Sequence, residues 1–141
     1  MLSMSPPSDY VVLSLRYPSW WLGIGVLMLL TVAALMLLPL RARDVGLSYA
    51  DGLAHALVYC ILMTWFSGIL QPGYRLAMFA GLLLFGALLE VLQSFIHWRS
   101  GEFLDLVFNA IGLLIGWVLV RAGMAGWAQR LESAWFGESP P

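Results

Sequence analysis

Four apolar runs, each about as long as a membrane is thick, leave this chain few ways to fold. They occupy residues 20–38, 49–70, 76–96 and 103–120. A spanning helix needs about 20 apolar residues, because the hydrocarbon core is about 30 Å thick and the helix rises about 1.5 Å per residue. In lipid the backbone must satisfy its own hydrogen bonds, which only helices and closed barrels achieve, and runs of this length are helical. The sequence therefore predicts an all-α membrane protein with four transmembrane helices in a compact bundle. Composition agrees: 61 % of residues are hydrophobic and 11 % charged, against about 45–50 % and about 25 % in soluble domains.

The boundaries carry their own signals. Pro39 with Arg41 and Arg43 closes the first run, Gln71-Pro72-Gly73 closes the second, and Arg75 opens the third. A polar stretch from His97 to Glu102 separates the third from the fourth, which ends at Arg121 and Gly123. The first run is longer than a signal-peptide core and lacks a small-residue cleavage site, so it is read as a retained span. The expected organisation is a loosely ordered tail over residues 1–19, a four-helix domain over 20–122, and a C-terminal segment over 123–141. In that last segment Trp127, Leu131 and Trp135 recur at i, i+4 and i+8, opposite Gln129, Arg130 and Glu132. This is the pattern of a short amphipathic helix lying in the membrane interface.

Charge excludes some functions and suggests an orientation. Seven arginines and no lysine face eight acids, for a net charge of −1, so there is no basic surface for nucleic acid. Cys60 is the single cysteine, which rules out an intrachain disulfide and makes it a packing residue. With four spans, Arg16, Arg75, Arg121 and Arg130 share one side and Arg41, Arg43 and Arg99 the other, so the positive-inside rule places both termini in the cytoplasm.

Polar side chains inside spans cost about 2.5–3.5 kcal/mol each when charged, so each requires a reason. Asp51, His55 and Tyr59 recur at i, i+4 and i+8 along one face at the start of the second span. Glu90, Gln93 and His97 line one face at the end of the third, and Asp105 and Asn109 line one at the start of the fourth. These three helix ends lie on the same side of the membrane, so the polar faces converge on one end of the bundle. There Glu90 is expected to pair with Arg99 or a protonated His55, or to stay neutral. Gly112 and Gly116, and Gly86 on the third span, are assigned to helix packing, since small residues let membrane helices approach closely. The plain reading of the polar set is a hydrogen-bond network that holds the bundle together. The functional reading is a pocket, with Glu90, Arg99 and Asp105 as its principal residues and His97 the most peripheral. No recognised metal motif is present, since neither histidine has a partner at i+4, and no cofactor is expected.

The ordered set Asp51-x3-His55-x3-Tyr59, Gly86-x3-Glu90-x2-Gln93 and Arg99-x5-Asp105-x3-Asn109-x2-Gly112-x3-Gly116 resembles the VanZ-like family of bacterial membrane proteins over residues 45–120. The resemblance implies a small polytopic protein of the bacterial inner membrane and an association with resistance to the glycopeptide teicoplanin. The family often carries Lys directly after the first aspartate, where this chain has Gly52.

Three functions of different classes follow. The first is binding of membrane lipid or a lipid-linked peptidoglycan precursor, with Arg99 at the head group and Glu90, Gln93 and Asn109 shaping the pocket. The second is an intramembrane hydrolase or transferase acting on lipid-linked substrates, for which His55, Glu90 and Asp105 supply groups of the right types for acid, base or metal ligand. The third is a small transporter subunit, which with only four spans would require a homo-oligomer.

Overall fold

The computed structural model describes residues 11–38, 48–95 and 103–137. Helix α1 covers Pro18–Leu37, α2 Ser48–Ile69, α3 Arg75–Ser94, α4 Phe103–Leu119 and α5 Trp127–Phe136. Four stretches are long and apolar enough to cross a membrane: Pro18–Leu37, Asp51–Ile69, Pro72–Ser94 and Phe103–Met124. Pro18 opens α1, where its fixed φ suits the first turn and its missing N–H is no loss. Between α2 and α3 lies a single 3-10 turn, Pro72–Tyr74, at the Pro-Gly signal. After α4 the chain loosens into a π turn over Val120–Met124, and Gly123 at φ 126° ends the helical path. That backbone conformation favours glycine.

The bundle is built around α2. Its spanning window is 56 % buried, against 17 %, 22 % and 28 % for the first, third and fourth spans, so α2 is the central helix and the others shield it. Leu27, Leu30, Leu84, Leu88, Leu114 and Val118 point outward, as side chains facing acyl tails would. The most intimate pair is α2 with α4. A Cβ on Gly112 would fall against the backbone of Ala56, and one on Gly116 would lie 2.8 Å from the Cys60 carbonyl oxygen. Neither position can hold a larger residue without parting the two helices.

The opposite end is closed by an extended segment that precedes α1. Val12 bridges Leu70, the Leu13 amide donates to the Ile69 carbonyl at 2.9 Å, and the Gln71 amide donates to Val11 at 3.0 Å. Main-chain groups at the end of α2 that would otherwise lack helical partners are thereby satisfied. Residues 11–17, expected to be a loose tail, form a strap across the bundle instead.

Helix α5 also differs from the sequence expectation. Glu132, read there as part of the polar face, is 2 % exposed. Its carboxylate accepts the Arg16 amide at 2.6 Å, the Trp21 indole at 2.7 Å and the Tyr17 amide at 3.1 Å. The reason is local: the start of α1 presents donors and the positive end of a helix dipole, which sequence periodicity on α5 does not reveal. Burial works to raise the Glu132 pKa, but these hydrogen bonds and the nearby Arg16 charge outweigh it and hold the carboxyl below its ordinary value. Beneath it Trp21, Trp65 and Trp127 pack with ring centroids 5.0–5.6 Å apart. The Trp127 indole donates to the Thr64 carbonyl at 3.1 Å and lies over Gly68, where a Cβ would meet its ring.

Candidate functional site

The start of α2 and the start of α4 form the polar end of the bundle. Asp51 and His55 are one turn apart on α2, and Asp105 and Asn109 are one turn apart on α4. The close α2–α4 approach at Gly112 lets these faces meet. His55 is 3 % exposed and Asn109 fully buried. The His55 Nδ1 and Asn109 Oδ1 lie 3.0 Å apart, in hydrogen-bond contact. The other ring nitrogen, Nε2, is 4.0 Å from the Asp105 carboxylate, too long for a hydrogen bond. One ligand atom from each of Asp51, His55 and Asp105 lies within 4.8 Å of the other two.

Deeper in the bundle Tyr59 and Asn109 converge on Gly86 of α3. A Cβ there would lie 2.7 Å from Asn109 Nδ2 and 2.8 Å from the Tyr59 hydroxyl. Gly86 thus makes room for two polar groups, whereas Gly112 and Gly116 admit helix backbone. Both Asn109 Nδ2 and the Tyr59 hydroxyl are buried without a hydrogen-bond partner among the described residues. An unmet buried donor costs about 1–3 kcal/mol, so these two groups are an expensive feature of the bundle interior, accommodated only because residue 86 has no side chain. Glu90 lies one turn further along α3 and is half-buried.

Gln93 takes a different role. It is 2 % exposed and donates to the Met36 carbonyl at 2.8 Å. This bond satisfies an end carbonyl of α1 and ties α3 to it. Arg99 and His97 lie outside the described residues. The glycine at position 52 is filled by a neighbour: a Cβ there would be 2.8 Å from Phe108 Cζ and closer still to the rest of that ring edge.

The eight sequence-predicted positions thus divide. Asp51, His55, Asp105 and Asn109 form one constellation, Tyr59 lies beneath it against Gly86, Glu90 stands one turn further along α3, Gln93 binds α1, and Arg99 is not described. Neither histidine is followed at i+4 by a metal-ligating residue. Asp51 stands four residues before His55, a signal present in the sequence, whereas Asp105 reaches the same point from another helix. No protein-family profile, curated protein or solved structure matches the chain.

Proposed function

We propose that this protein is a VanZ-like polytopic protein of the bacterial inner membrane that binds the head group of a lipid or lipid-linked cell-wall intermediate at the polar end of its bundle. The observation that carries this reading is the buried His55–Asn109 contact flanked by Asp51 and Asp105, where an apolar bundle has no packing need for such groups. Carboxylates and an amide at head-group depth suit a ligand that presents hydroxyl or amine donors, as the sugar of a lipid-linked intermediate does. Arg99, by its sequence position, is assigned to the accompanying phosphate. With the termini in the cytoplasm this end of the bundle faces outward, where glycopeptide antibiotics meet their lipid-linked targets. The link to teicoplanin rests on the VanZ-like resemblance alone.

Native mass spectrometry of the detergent-purified chain tests the reading. A lipid adduct carried by the wild type and lost from Glu90→Gln and Arg99→Ala is the expected result. Adduct-free spectra, or identical adducts on all three proteins, would show that the cluster is only a structural network. The antibiotic link is tested separately: deleting the gene should lower the teicoplanin concentration that stops growth, and an unchanged value removes the link.

A further inference from the structure

We propose that the outer face of α5, together with Arg16 and Arg121, binds the head groups of anionic phospholipids. This surface lies at the opposite end of the bundle from the polar cluster, and the inference does not depend on the head-group pocket proposed there.

The inward turn of Glu132 leaves that surface cationic. Glu132 is the only acid on α5, and its carboxylate is buried against the Arg16 and Tyr17 amides and the Trp21 indole. Arg130, Ser133 and Trp135 are exposed on α5, with no carboxylate beside them. Arg121 is exposed in the π turn after α4, and Arg16 is exposed at the end of the strap. No carboxylate among the described residues forms an ion pair with any of these three guanidiniums. By chain position this end carries four arginines against Asp9, Glu132 and Glu138, and one of those three acids is sealed inside.

Two of the guanidiniums are held in place. Arg16 donates to the Phe136 carbonyl at 3.3 Å, and its guanidinium carbon lies 5.6 Å from the Phe136 ring centre and 5.9 Å from that of Tyr17. Arg130 donates to the Gly123 carbonyl at 2.8 Å. Each bond uses one of the five N–H donors of an arginine, which leaves the others to meet a phosphate. A zwitterionic head group brings an ammonium as well, and this face offers it no carboxylate. An anionic head group has no such unmet charge.

Aromatic side chains set the depth. The exposed tyrosines and tryptophans among the described residues, Tyr17, Trp20, Tyr74 and Trp135, all lie at this end, with Trp20 73 % and Trp135 69 % exposed. Such rings settle in the head-group layer, so α5 and its arginines stand at the level of the lipid phosphates, where apolar contact and charge attraction act together. That depth favours lipid over a soluble protein partner as the occupant.

The full-length chain, delipidated in detergent, is titrated with phosphatidylglycerol or with phosphatidylcholine of the same acyl chains, and bound lipid is counted by native mass spectrometry. Phosphatidylglycerol is expected to bind at least ~10-fold more tightly, since each basic residue near an anionic surface contributes about fivefold. Arg121→Gln and Arg130→Gln should each weaken phosphatidylglycerol ~3–5-fold and leave phosphatidylcholine unchanged, and the double change should remove most of the preference. Arg121 makes no hydrogen bond to a described residue, so the loss from its replacement reads out charge and not folding. Equal binding of the two lipids by wild type, or a preference that survives the double change, overturns the proposal. Displacement of phosphatidylglycerol by excess inorganic phosphate overturns it too, since the site would then be one for the free ion. Glu90→Gln should leave the preference intact; a preference lost with Glu90 and kept in the double variant would assign the lipid to the polar end and refute this surface.

Discussion

Replacing Gly112 with alanine should loosen the polar end of the bundle from a position that touches none of its polar groups. The new Cβ would lie 2.8 Å from the Ala56 carbonyl carbon and 2.9 Å from its Cα, and closer to its oxygen. Carbon contacts are comfortable at about 3.5–4.0 Å, so α2 and α4 must part by about 1 Å. Both colliding partners are backbone, and no side-chain rotation relieves the overlap. Such overpacking costs about 1–3 kcal/mol. The same displacement stretches the 3.0 Å His55–Asn109 contact to about 4 Å, beyond hydrogen-bond range, which adds about 1 kcal/mol. Denaturation in mixed micelles, followed by tryptophan emission, should therefore show Gly112→Ala about 3 kcal/mol less stable than wild type. Gly116→Ala, whose Cβ meets the Cys60 oxygen and Met63 Cβ at 2.8 Å, both held by the α2 backbone, should cost less, about 1–2 kcal/mol, because the overlap is shallower than at Gly112. Gly81→Ala, where a Cβ would meet nothing within 4 Å, should be neutral or slightly stabilising, since alanine is the better helix former. If Gly112→Ala and Gly81→Ala unfold at the same point, the α2–α4 crossing described here is wrong.

Other expectations concern the far end of the bundle and position 52. Glu132→Gln should cost about 2 kcal/mol at neutral pH through its weakened charged hydrogen bonds. Because the folded-state pKa of Glu132 is lowered, its stabilisation is complete above the ordinary carboxylate range and lost as pH falls through the folded value. The stability difference between wild type and Glu132→Gln should therefore shrink on acidification, and a difference that grows would contradict the sign. Gly68→Ala should displace the Trp127 ring, 2.6 Å from the new Cβ at Cε2, and shift tryptophan emission to longer wavelength as α5 undocks; unchanged emission would argue against the indole cluster. Gly52→Lys should destabilise by about 1–3 kcal/mol because Phe108 fills the site, and the double change Gly52→Lys with Phe108→Ala should recover part of the loss. A freely tolerated lysine would mean that Phe108 does not pack there.

The sequence alone determined the number, placement and helical nature of the spans, because the bilayer accepts little else from runs of that length. Observed ends fall close to the expected ones: α2 stops at Ile69 before the Pro-Gly turn, and α4 loosens at Val120. Periodicity also placed Asp51, His55, Asp105 and Asn109 on matching faces, and parity of crossings put them at one end. It could not say which helix each polar face would meet. That Gln93 turns to the end of α1, that Glu132 turns inward to the strap, and that Asp105 joins an Asp51–His55 pair are matters of which backbone donor or acceptor lies a few ångströms away. Those neighbours are set by the α2–α4 approach at Gly112 and by the docking of residues 11–17. Contacts between residues more than a hundred positions apart, such as Arg16 with Glu132, leave no periodic trace in the chain, so only the tertiary structure decides them.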